Sequence, residues 1–141
     1  MGDLGFWALA QEDPDDLALV TPEGDEVKAG DLLGHANQLV HGLRAQGFAT
    51  GDVVATLLPN SAEMIEVYLA ALQAGWYLVP INHHLVAPEV AYILKDSGAK
   101  AFVAHERFAG AATAAAAAGA RLQRVDRHPL PQRGGQRRRR G

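Results

Sequence analysis

Cysteine is absent from the 141-residue sequence, which excludes disulfide bonds, thiolate metal ligands and a cysteine nucleophile. Two glycine motifs that cradle phosphate groups, G-x-G-x-x-G and G-x-x-x-x-G-K-[ST], are also absent, as is the G-x-S-x-G turn of many serine hydrolases. Only two serines occur, Ser61 and Ser97, and a position at a helix end explains each of them. The sequence therefore lacks the common signatures of nucleotide binding and of serine or cysteine hydrolysis.

Long segments without charge are also rare. The longest one covers residues 67–88, and Gly75, Pro80 and Asn82 interrupt its apolar character. A membrane-spanning helix needs about 20 consecutive apolar residues, so we expect a buried helix followed by a buried strand instead. Acidic residues occur early in the chain and no basic segment precedes them, which argues against a secretory signal peptide. A cytoplasmic protein without a membrane span is predicted.

Basic residues are rare in residues 1–120, and acidic residues are rare in residues 121–141. Residues 1–120 hold five basic and fifteen acidic residues, a formal charge of −10, whereas residues 121–141 hold eight arginines and one aspartate, a charge of +7. The second segment contains only three hydrophobic residues. Such a segment buries too little apolar surface to offset the entropy lost on ordering. The sequence predicts an acidic folded body over 1–120 and a disordered, arginine-rich tail over 121–141.

Apolar residues in the acidic body alternate between the periods of strands and of helices. A continuous apolar run predicts a strand covered on both faces at 52–58, and a second fully apolar strand and a third strand are predicted at 76–81 and 100–104. Helical spacing predicts five helices, and a turn-rich segment predicts a hairpin, as follows: helices at 4–12, 31–46, 60–75, 87–97 and 105–119, and hairpin strands at 17–20 and 26–28. Three successive strand–helix units favour an α/β fold with a mostly parallel sheet and packed helices.

The helix over 60–75 carries the most detailed local prediction. Asn60 precedes it and Glu63 follows three residues later, a spacing typical of a capping box. Its predicted buried stripe consists of Met64, Ile65, Tyr68 and Leu72. Gly75 is the expected C-terminal cap.

Two polar clusters could carry chemistry. His83 and His84 lie just past a predicted central strand, at the sheet edge where α/β proteins bind ligands. Adjacent side chains of an extended segment point to opposite sides, so we do not expect both rings to face one metal. A solvated loop is the favoured interpretation, and a ligand contact from one histidine is the alternative. The acidic residues within 12–16 are best explained as a solvated turn rather than a metal site.

A longer pattern of residues resembles a known family. The segment 51–82, GDVVATLLPNSAEMIEVYLAALQAGWYLVPIN, resembles the adenylate-forming acyl-CoA synthetases of the AMP-binding superfamily, and 26–48 and 83–104 resemble the flanking elements of that family. The resemblance covers residues 5–118. Proline, isoleucine and asparagine at 80–82 favour acyl-CoA synthetases over amino-acid-adenylating domains, which usually carry aspartate there.

The resemblance implies activation of a fatty acid in two steps. ATP and Mg²⁺ convert the carboxylate into an acyl-adenylate with release of pyrophosphate, and coenzyme A then displaces AMP. The family's phosphate loop, T-S-G-T-T-G-x-P-K-G, does not occur in this sequence, and neither does the domain with the adenylating lysine. We therefore expect a truncated N-terminal segment without catalytic residues or metal ligands, inactive alone and without tight binding of ATP, Mg²⁺ or coenzyme A.

The resemblance also singles out one candidate cofactor-binding residue. Relatives often carry an arginine at the position of His84, and in some of them that arginine touches the nucleotide of coenzyme A. A histidine is a weaker cation than arginine at neutral pH, so the contact would be weaker here. His84 is the one cofactor contact expected in this chain.

Three functional hypotheses follow from these observations. The leading one is a truncated fatty-acid–CoA ligase, and the alternative is a non-catalytic interaction module derived from the same fold. Nucleic-acid binding through the tail is disfavoured because 121–141 contains no aromatic residue for base stacking. The change of composition at residue 121 also suggests a change of reading frame, so the tail is hypothesised to lie outside the fold.

Overall fold

The chain folds as an α/β protein in a computed structural model that describes residues 5–117 and 124–128. The helices are α1 (Phe6–Glu12), α2 (Ala29–Ala45), α3 (Ala62–Ala74), α4 (Ala87–Ser97) and α5 (Ala109–Ala117). The strands are β1 (Leu17–Val20), β2 (Glu26–Lys28), β3 (Val53–Leu57), β4 (Tyr77–Pro80), β5 (Ala101–His105) and β6 (Arg124–His128). The α/β class and the predicted order of elements are confirmed.

The main sheet has four parallel strands in the order β4-β3-β5-β6. Side chains of β3 alternate between its two faces, as the pleat of a strand requires. Val54 packs in one core cluster with residues of α2 and α3, whereas Ala55 packs in a second cluster with residues of α4 and α5. Phe102 of β5 is completely buried in the second cluster. Helices therefore cover both faces of β3, as its continuous apolar run predicted.

A small antiparallel sheet stands apart from the main one and consists of the hairpin β1-β2. The side-chain oxygen of Thr21 accepts a hydrogen bond from the backbone N–H of Asp25, at 3.0 Å, and closes the turn. α1 packs beside the hairpin on α2, where the Trp7 indole donates to the Asn37 side chain at 3.4 Å. These elements build a second layer outside α2 and α3.

The capping prediction for α3 is wrong by one residue. Ser61 is the N-cap, and its hydroxyl accepts from the backbone N–H of Met64 at 3.4 Å. Asn60 is therefore outside the helix. The prediction for the other end is confirmed, because Gly75 ends α3 in the left-handed conformation with φ 70°.

The predicted buried stripe of α3 is wrong for three of its four residues, and only Met64 is half-buried and packs on the core. Ile65, Tyr68 and Leu72 are 42%, 49% and 59% exposed. The buried side is the one formed by Val67, Leu69, Ala70, Ala71 and Ala74. Both sides of this helix are apolar, so periodicity did not distinguish them, and the side with small alanines packs closest to its neighbours. An exposed apolar stripe remains on α3.

Residues 124–128 correct the prediction of a wholly disordered tail. They form β6, whose backbone pairs in parallel with β5 from Ala101↔Arg124 to His105↔His128. An edge strand is joined by backbone hydrogen bonds and does not require apolar residues, so composition did not reveal it. The other residues of the predicted tail lie outside the described part of the chain.

The uncharged run over 67–88 forms most of α3, then β4 and the turn before α4. The prediction of a helix followed by a strand is confirmed. β4 is an edge strand among the described residues, not a central one, and Tyr77 is largely exposed. Within the described residues, no helix is both long and apolar enough to cross a membrane.

Candidate functional site

The loops that follow β3, β4 and β5 meet at the carboxyl edge of the parallel sheet. The loop after β3 leads to α3 on one face, and the loop after β5 leads to α5 on the other face. The position where such loops diverge to opposite faces is where open α/β sheets commonly bind their ligands. His83 and His84 lie in the loop after β4, so the prediction that they follow a strand at this edge is correct.

The two histidines do not point to opposite sides, contrary to the prediction. Their ring centroids lie 4.2 Å apart with an interplanar angle of 44°. The cause is a tight turn at Asn82. Its side-chain oxygen accepts a hydrogen bond from the backbone N–H of His84 at 2.9 Å, and its backbone carbonyl accepts one from the backbone N–H of Leu85 at 3.1 Å. His84 is exposed and His83 is half-buried.

Phe108 joins the loops after β4 and β5. The ring of His83 stacks on it, with centroids 4.9 Å apart and an interplanar angle of 15°. The Arg107 guanidinium lies 5.5 Å from the centroid of the same ring. The carboxyl edge thus carries a flat aromatic surface with a permanent cation beside it, an arrangement suited to a planar or anionic ligand group.

His105 is a residue of this edge that the sequence prediction missed. It ends β5, is 8% exposed, and its Nδ1 accepts from the backbone N–H of Arg107 at 3.0 Å. This bond requires an unprotonated Nδ1 and caps the short 3₁₀ helix Glu106–Phe108. The signal was present, since His105 directly follows the apolar run at 100–104, but the residue was assigned to the next helix.

The described residues fit only a limited part of what the resemblance implies about cofactors. Over residues 5–117, no group of three His, Cys, Asp or Glu side chains is placed to hold a metal ion. The exposed imidazole of His84 and the guanidinium of Arg107 are the groups at this edge that could meet a phosphate. Within the described residues, ATP and Mg²⁺ lack a matching set of ligands at this edge.

The amino edge of the sheet is held by charge instead. The Asp52 carboxylate accepts from the backbone N–H of Ala49 at 2.8 Å and from the Lys100 ammonium at 3.0 Å. The Ala49 hydrogen bond, followed by the contact with Lys100, lowers the pKa of Asp52 below its ordinary value of 3.8. This pair joins the start of β3 to the residue before β5.

Comparisons with known proteins place this sheet in a family. A sequence profile described as AMP-binding enzyme matches residues 6–137. The chain is 40% identical over 101 residues to the long-chain-fatty-acid–CoA ligase FadD13 of Mycobacterium tuberculosis, covering 69% of this chain and 20% of that protein. It is also 40% identical over 94 residues to surfactin synthase subunit 2 of Bacillus subtilis, covering 62% of this chain and 3% of that protein.

A solved structure agrees with the sequence comparisons. The structure of a Mycobacterium tuberculosis fatty acyl CoA synthetase superposes with a TM-score of 0.77 at 32% identity, covering 87% of this chain and 25% of that one. The fold is that of an α/β protein with a parallel sheet and helices packed on both faces. The chain belongs to the AMP-binding enzyme family.

The extent of the match sharpens two predictions. The family profile continues to residue 137, beyond residue 118 where the resemblance was expected to stop. The family relationship therefore includes much of the segment that the charge pattern separated as a tail. The chain spans about a fifth of the length of FadD13 and of a fatty acid–[acyl-carrier-protein] ligase from Streptomyces coeruleorubidus.

Proposed function

We propose that this chain forms the N-terminal part of the adenylating domain of a fatty-acid–CoA ligase. The observation that carries the proposal is the family match over 6–137, on a doubly wound sheet with a polar carboxyl edge. The chain is equally identical to FadD13 and to surfactin synthase subunit 2, so overall identity does not distinguish a fatty-acid substrate from an amino-acid substrate. The motif at 80–82 is the argument for a fatty acid. A cytoplasmic location is part of the same proposal.

The reaction of such a ligase joins a carboxylic acid to coenzyme A at the expense of ATP, with AMP and pyrophosphate as products. When bound, Mg²⁺ supplies charge neutralisation on the phosphates. Within this chain, β3 and β5 provide the rigid sheet, and the loop at Asn82 fixes the backbone beside His84. We propose that the chain binds none of these cofactors tightly by itself and is inactive alone.

The first test measures ATP–pyrophosphate exchange by the purified chain with fatty acids of several lengths. We expect no exchange above the background of a heat-treated sample, because neither the sequence nor the carboxyl edge supplies a phosphate loop. Sustained exchange that depends on a fatty acid would contradict the proposed inactivity, while leaving the family assignment intact.

The second test asks whether the chain can serve in a complete ligase. Residues 6–128 replace the matching segment of FadD13, and acyl-CoA formation is measured. We expect the chimera to retain activity, because this chain is 40% identical to FadD13 over 101 residues and superposes on a fatty acyl CoA synthetase with a TM-score of 0.77. A matched control carries Ala55→Asp, which places a charge in a completely buried site and should abolish activity. A folded but inactive chimera would count against the proposed function.

The third test uses the same chimera to examine His84. Replacement by alanine should raise the KM for coenzyme A about two- to fivefold and leave the KM for ATP unchanged, because one exposed charge-assisted contact is modest. Replacement by arginine should restore or lower the KM for coenzyme A. The exposed Tyr92, replaced by alanine, is the control on α4. Equal effects on both KM values would show that His84 has no selective contact.

An interaction module remains the alternative function, and one observation favours it. The stripe of Ile65, Tyr68 and Leu72 on α3 exposes apolar surface on a chain that covers only part of its relatives. Exposed apolar patches commonly mark protein contacts. A folded chain that fails in the chimera and yet binds the remaining portion of FadD13, measured by sedimentation, would favour this function over the ligase proposal.

A further inference from the structure

A groove open to solvent lies on the outer layer of the molecule, and α1, the hairpin, α2 and α3 all contribute to it. Its volume is about 360 Å³, which falls at the lower end of the roughly 300–1,000 Å³ typical of small-molecule sites. None of His83, His84, Arg107 and Phe108 lines it, so it shares no residue with the aromatic cluster of the carboxyl edge. The groove is large enough for one short ligand.

The lining of the groove is mainly apolar, with a buried floor and exposed walls. The floor includes Ala10 of α1, Leu32 of α2 and Leu69 of α3, which are all buried. Leu9 and Ile65 form part of the walls and remain 54% and 42% exposed. Apolar surface of this kind is stabilised when a ligand removes it from water. The groove therefore offers a binding surface for an apolar body.

The turn between α1 and β1, which lines the groove, is held against α2 by backbone contacts. The carbonyls of Pro14 and Asp16 accept hydrogen bonds from the backbone N–H groups of Gly30 and Ala29, both at 2.8 Å. Pro14 lies so close to Gly30 that a Cβ added to the glycine would be 2.8 Å from Cβ of the proline. The Asp16 carboxylate also accepts from the backbone N–H of Leu17 at 3.0 Å. The turn is thus ordered before any ligand binds, which lowers the entropic cost of binding.

Two acidic side chains of this turn have no cation partner among the described residues. Asp13 and Asp16 both line the groove and are exposed. In residues 5–117, no lysine, arginine or histidine forms an ion pair with either of them, whereas Asp15 beside them pairs with Lys28 at 3.6 Å. A cation in the groove is attracted by both carboxylates, and an anion there is repelled by both.

These properties together define the class of ligand. An apolar body is favoured by the walls, and an ammonium or amidinium group forms charge-assisted hydrogen bonds with carboxylates. We propose that the groove binds a small organic cation with an apolar body. The apolar part lies on Leu9 and Ile65, and the cationic group lies beside Asp13 and Asp16. This site is separate from the proposed ligase reaction, because a fatty-acid substrate carries the opposite charge.

Three ligands of equal chain length test the proposal, namely hexylammonium, hexanol and hexanoate. Each is titrated at low salt and pH 7 into the ¹⁵N-labelled full chain, and the shifts of the backbone amide signals are recorded. We expect hexylammonium to bind about tenfold more tightly than hexanoate, with hexanol between them, because only the charge differs. The largest shifts should occur at Ala18 and Ile65, which line the groove.

A double variant, Asp13→Asn with Asp16→Asn, tests the role of the charge. Asparagine retains a side-chain acceptor for the backbone N–H of Leu17. The affinity for hexylammonium should fall about fivefold, because exposed ion contacts are modest, and the affinity for hexanol should not change. The matched control is Asp96→Asn with Glu106→Gln, which removes two exposed charges outside the groove and should leave both affinities unchanged. Equal losses in the two double variants would overturn the proposal.

Ala18→Trp tests the location by filling the groove with a large side chain. Ala18 is exposed and lines the groove, whereas Ala114 is exposed on α5 and does not. Ala18→Trp should abolish the binding of hexylammonium, and the control Ala114→Trp should leave it unchanged, with folding checked by circular dichroism.

Three results contradict the proposal. They are hexanoate binding as tightly as hexylammonium, hexylammonium binding unchanged in a folded Ala18→Trp variant, and the absence of saturable binding of hexylammonium to the parent chain. If Ala18→Trp does not fold, the comparison of the two double charge variants decides. None of these results bears on the chimera with FadD13, so this proposal and the proposed function can fail separately.

Discussion

The two edges of the parallel sheet are built in different ways. At the amino edge, Asp52 and Lys100 form an ion pair, and the Thr50 hydroxyl donates to the Ala74 carbonyl at 3.3 Å. At the carboxyl edge, the principal contacts are those of aromatic rings, with His83 stacked on Phe108. The first edge is fixed by hydrogen bonds and backbone geometry, whereas ring contacts join the loops at the second edge.

This difference indicates how stability and ligand contact are divided within one small sheet. Helix ends and strand starts at the amino edge contact each other directly, as in the hydrogen bond from Gly51 N–H to the Gly75 carbonyl at 2.8 Å. Loops at the carboxyl edge diverge to opposite faces and keep polar groups exposed. Substitutions should therefore act mainly on folding at one edge, and mainly on ligand contact at the other.

The largest expected effect is that of Gly75→Ala at the amino edge. Gly75 has φ 70°, and an added Cβ would lie 2.9 Å from Cγ2 of Thr50. Left-handed strain costs roughly 1 kcal/mol, and the close contact should bring the loss of unfolding free energy to about 2 kcal/mol. Urea denaturation measures this loss.

Gly98→Ala is the matched control for Gly75→Ala. Gly98 has φ 67° and no neighbouring atom within 4 Å of an added Cβ, so only the strain of roughly 1 kcal/mol is expected. Adding Thr50→Ser to Gly75→Ala removes the clashing methyl group, so the loss should fall to about that of Gly98→Ala and the difference between the two glycines should disappear. Equal losses for the two single variants would show that the contact with Thr50 is unimportant.

A smaller effect is expected for His105→Ala at the carboxyl edge. The variant removes the Nδ1 acceptor for Arg107 N–H, and loss of such a cap costs about 1 kcal/mol. His105→Asn offers a side-chain acceptor and should recover part of the loss. Thermal melts of both variants test this, and a loss as large as that of Gly75→Ala would contradict the division between the edges.

The smallest effect is expected for Asp52→Asn, and it should depend on pH. Because the fold lowers the pKa of Asp52, its carboxylate stabilises the fold fully above the ordinary value of 3.8 and loses this contribution as the pH falls through the lowered pKa. Asp52→Asn should therefore be less stable than the parent near pH 7 and approach it in acid. Urea midpoints between pH 3 and pH 8 provide the measurement.

Lys100→Gln separates the two causes of the Asp52 effect. The Ala49 hydrogen bond remains in this variant, so part of the acid-dependent loss should persist. If Lys100→Gln and Asp52→Asn show the same flat pH profile, the backbone hydrogen bond contributes nothing measurable.

The sequence predicted most of the fold because local signals agreed with the tertiary structure. In α2, the helical spacing of Leu32, Ala36 and Leu43 places them on one face, and all three are buried. The first helix also starts close to its predicted residue, at Phe6. Amphipathic helices and continuous apolar strands carry their own information about which side is buried.

The remaining features depend on contacts between segments that are distant in sequence. α3 is apolar on both sides, so only its neighbours decide that Val67 is buried and Tyr68 is exposed. β6 pairs through its backbone, which composition does not report. His83 and Phe108 belong to two different loops and stack on each other. This contact depends on the strand order β4-β3-β5, which no local pattern specifies.

That strand order has a consequence for synthesis of the chain. β3 is followed along the chain by β4, but its second neighbour is β5, paired from Val54↔Ala101 to Leu57↔Ala104. During translation, β3 therefore emerges as a strand with one free, strongly apolar edge until more than forty further residues have been added. Such an edge is a site for pairing with other nascent chains, and a slow ribosome over 58–100 would prolong its exposure.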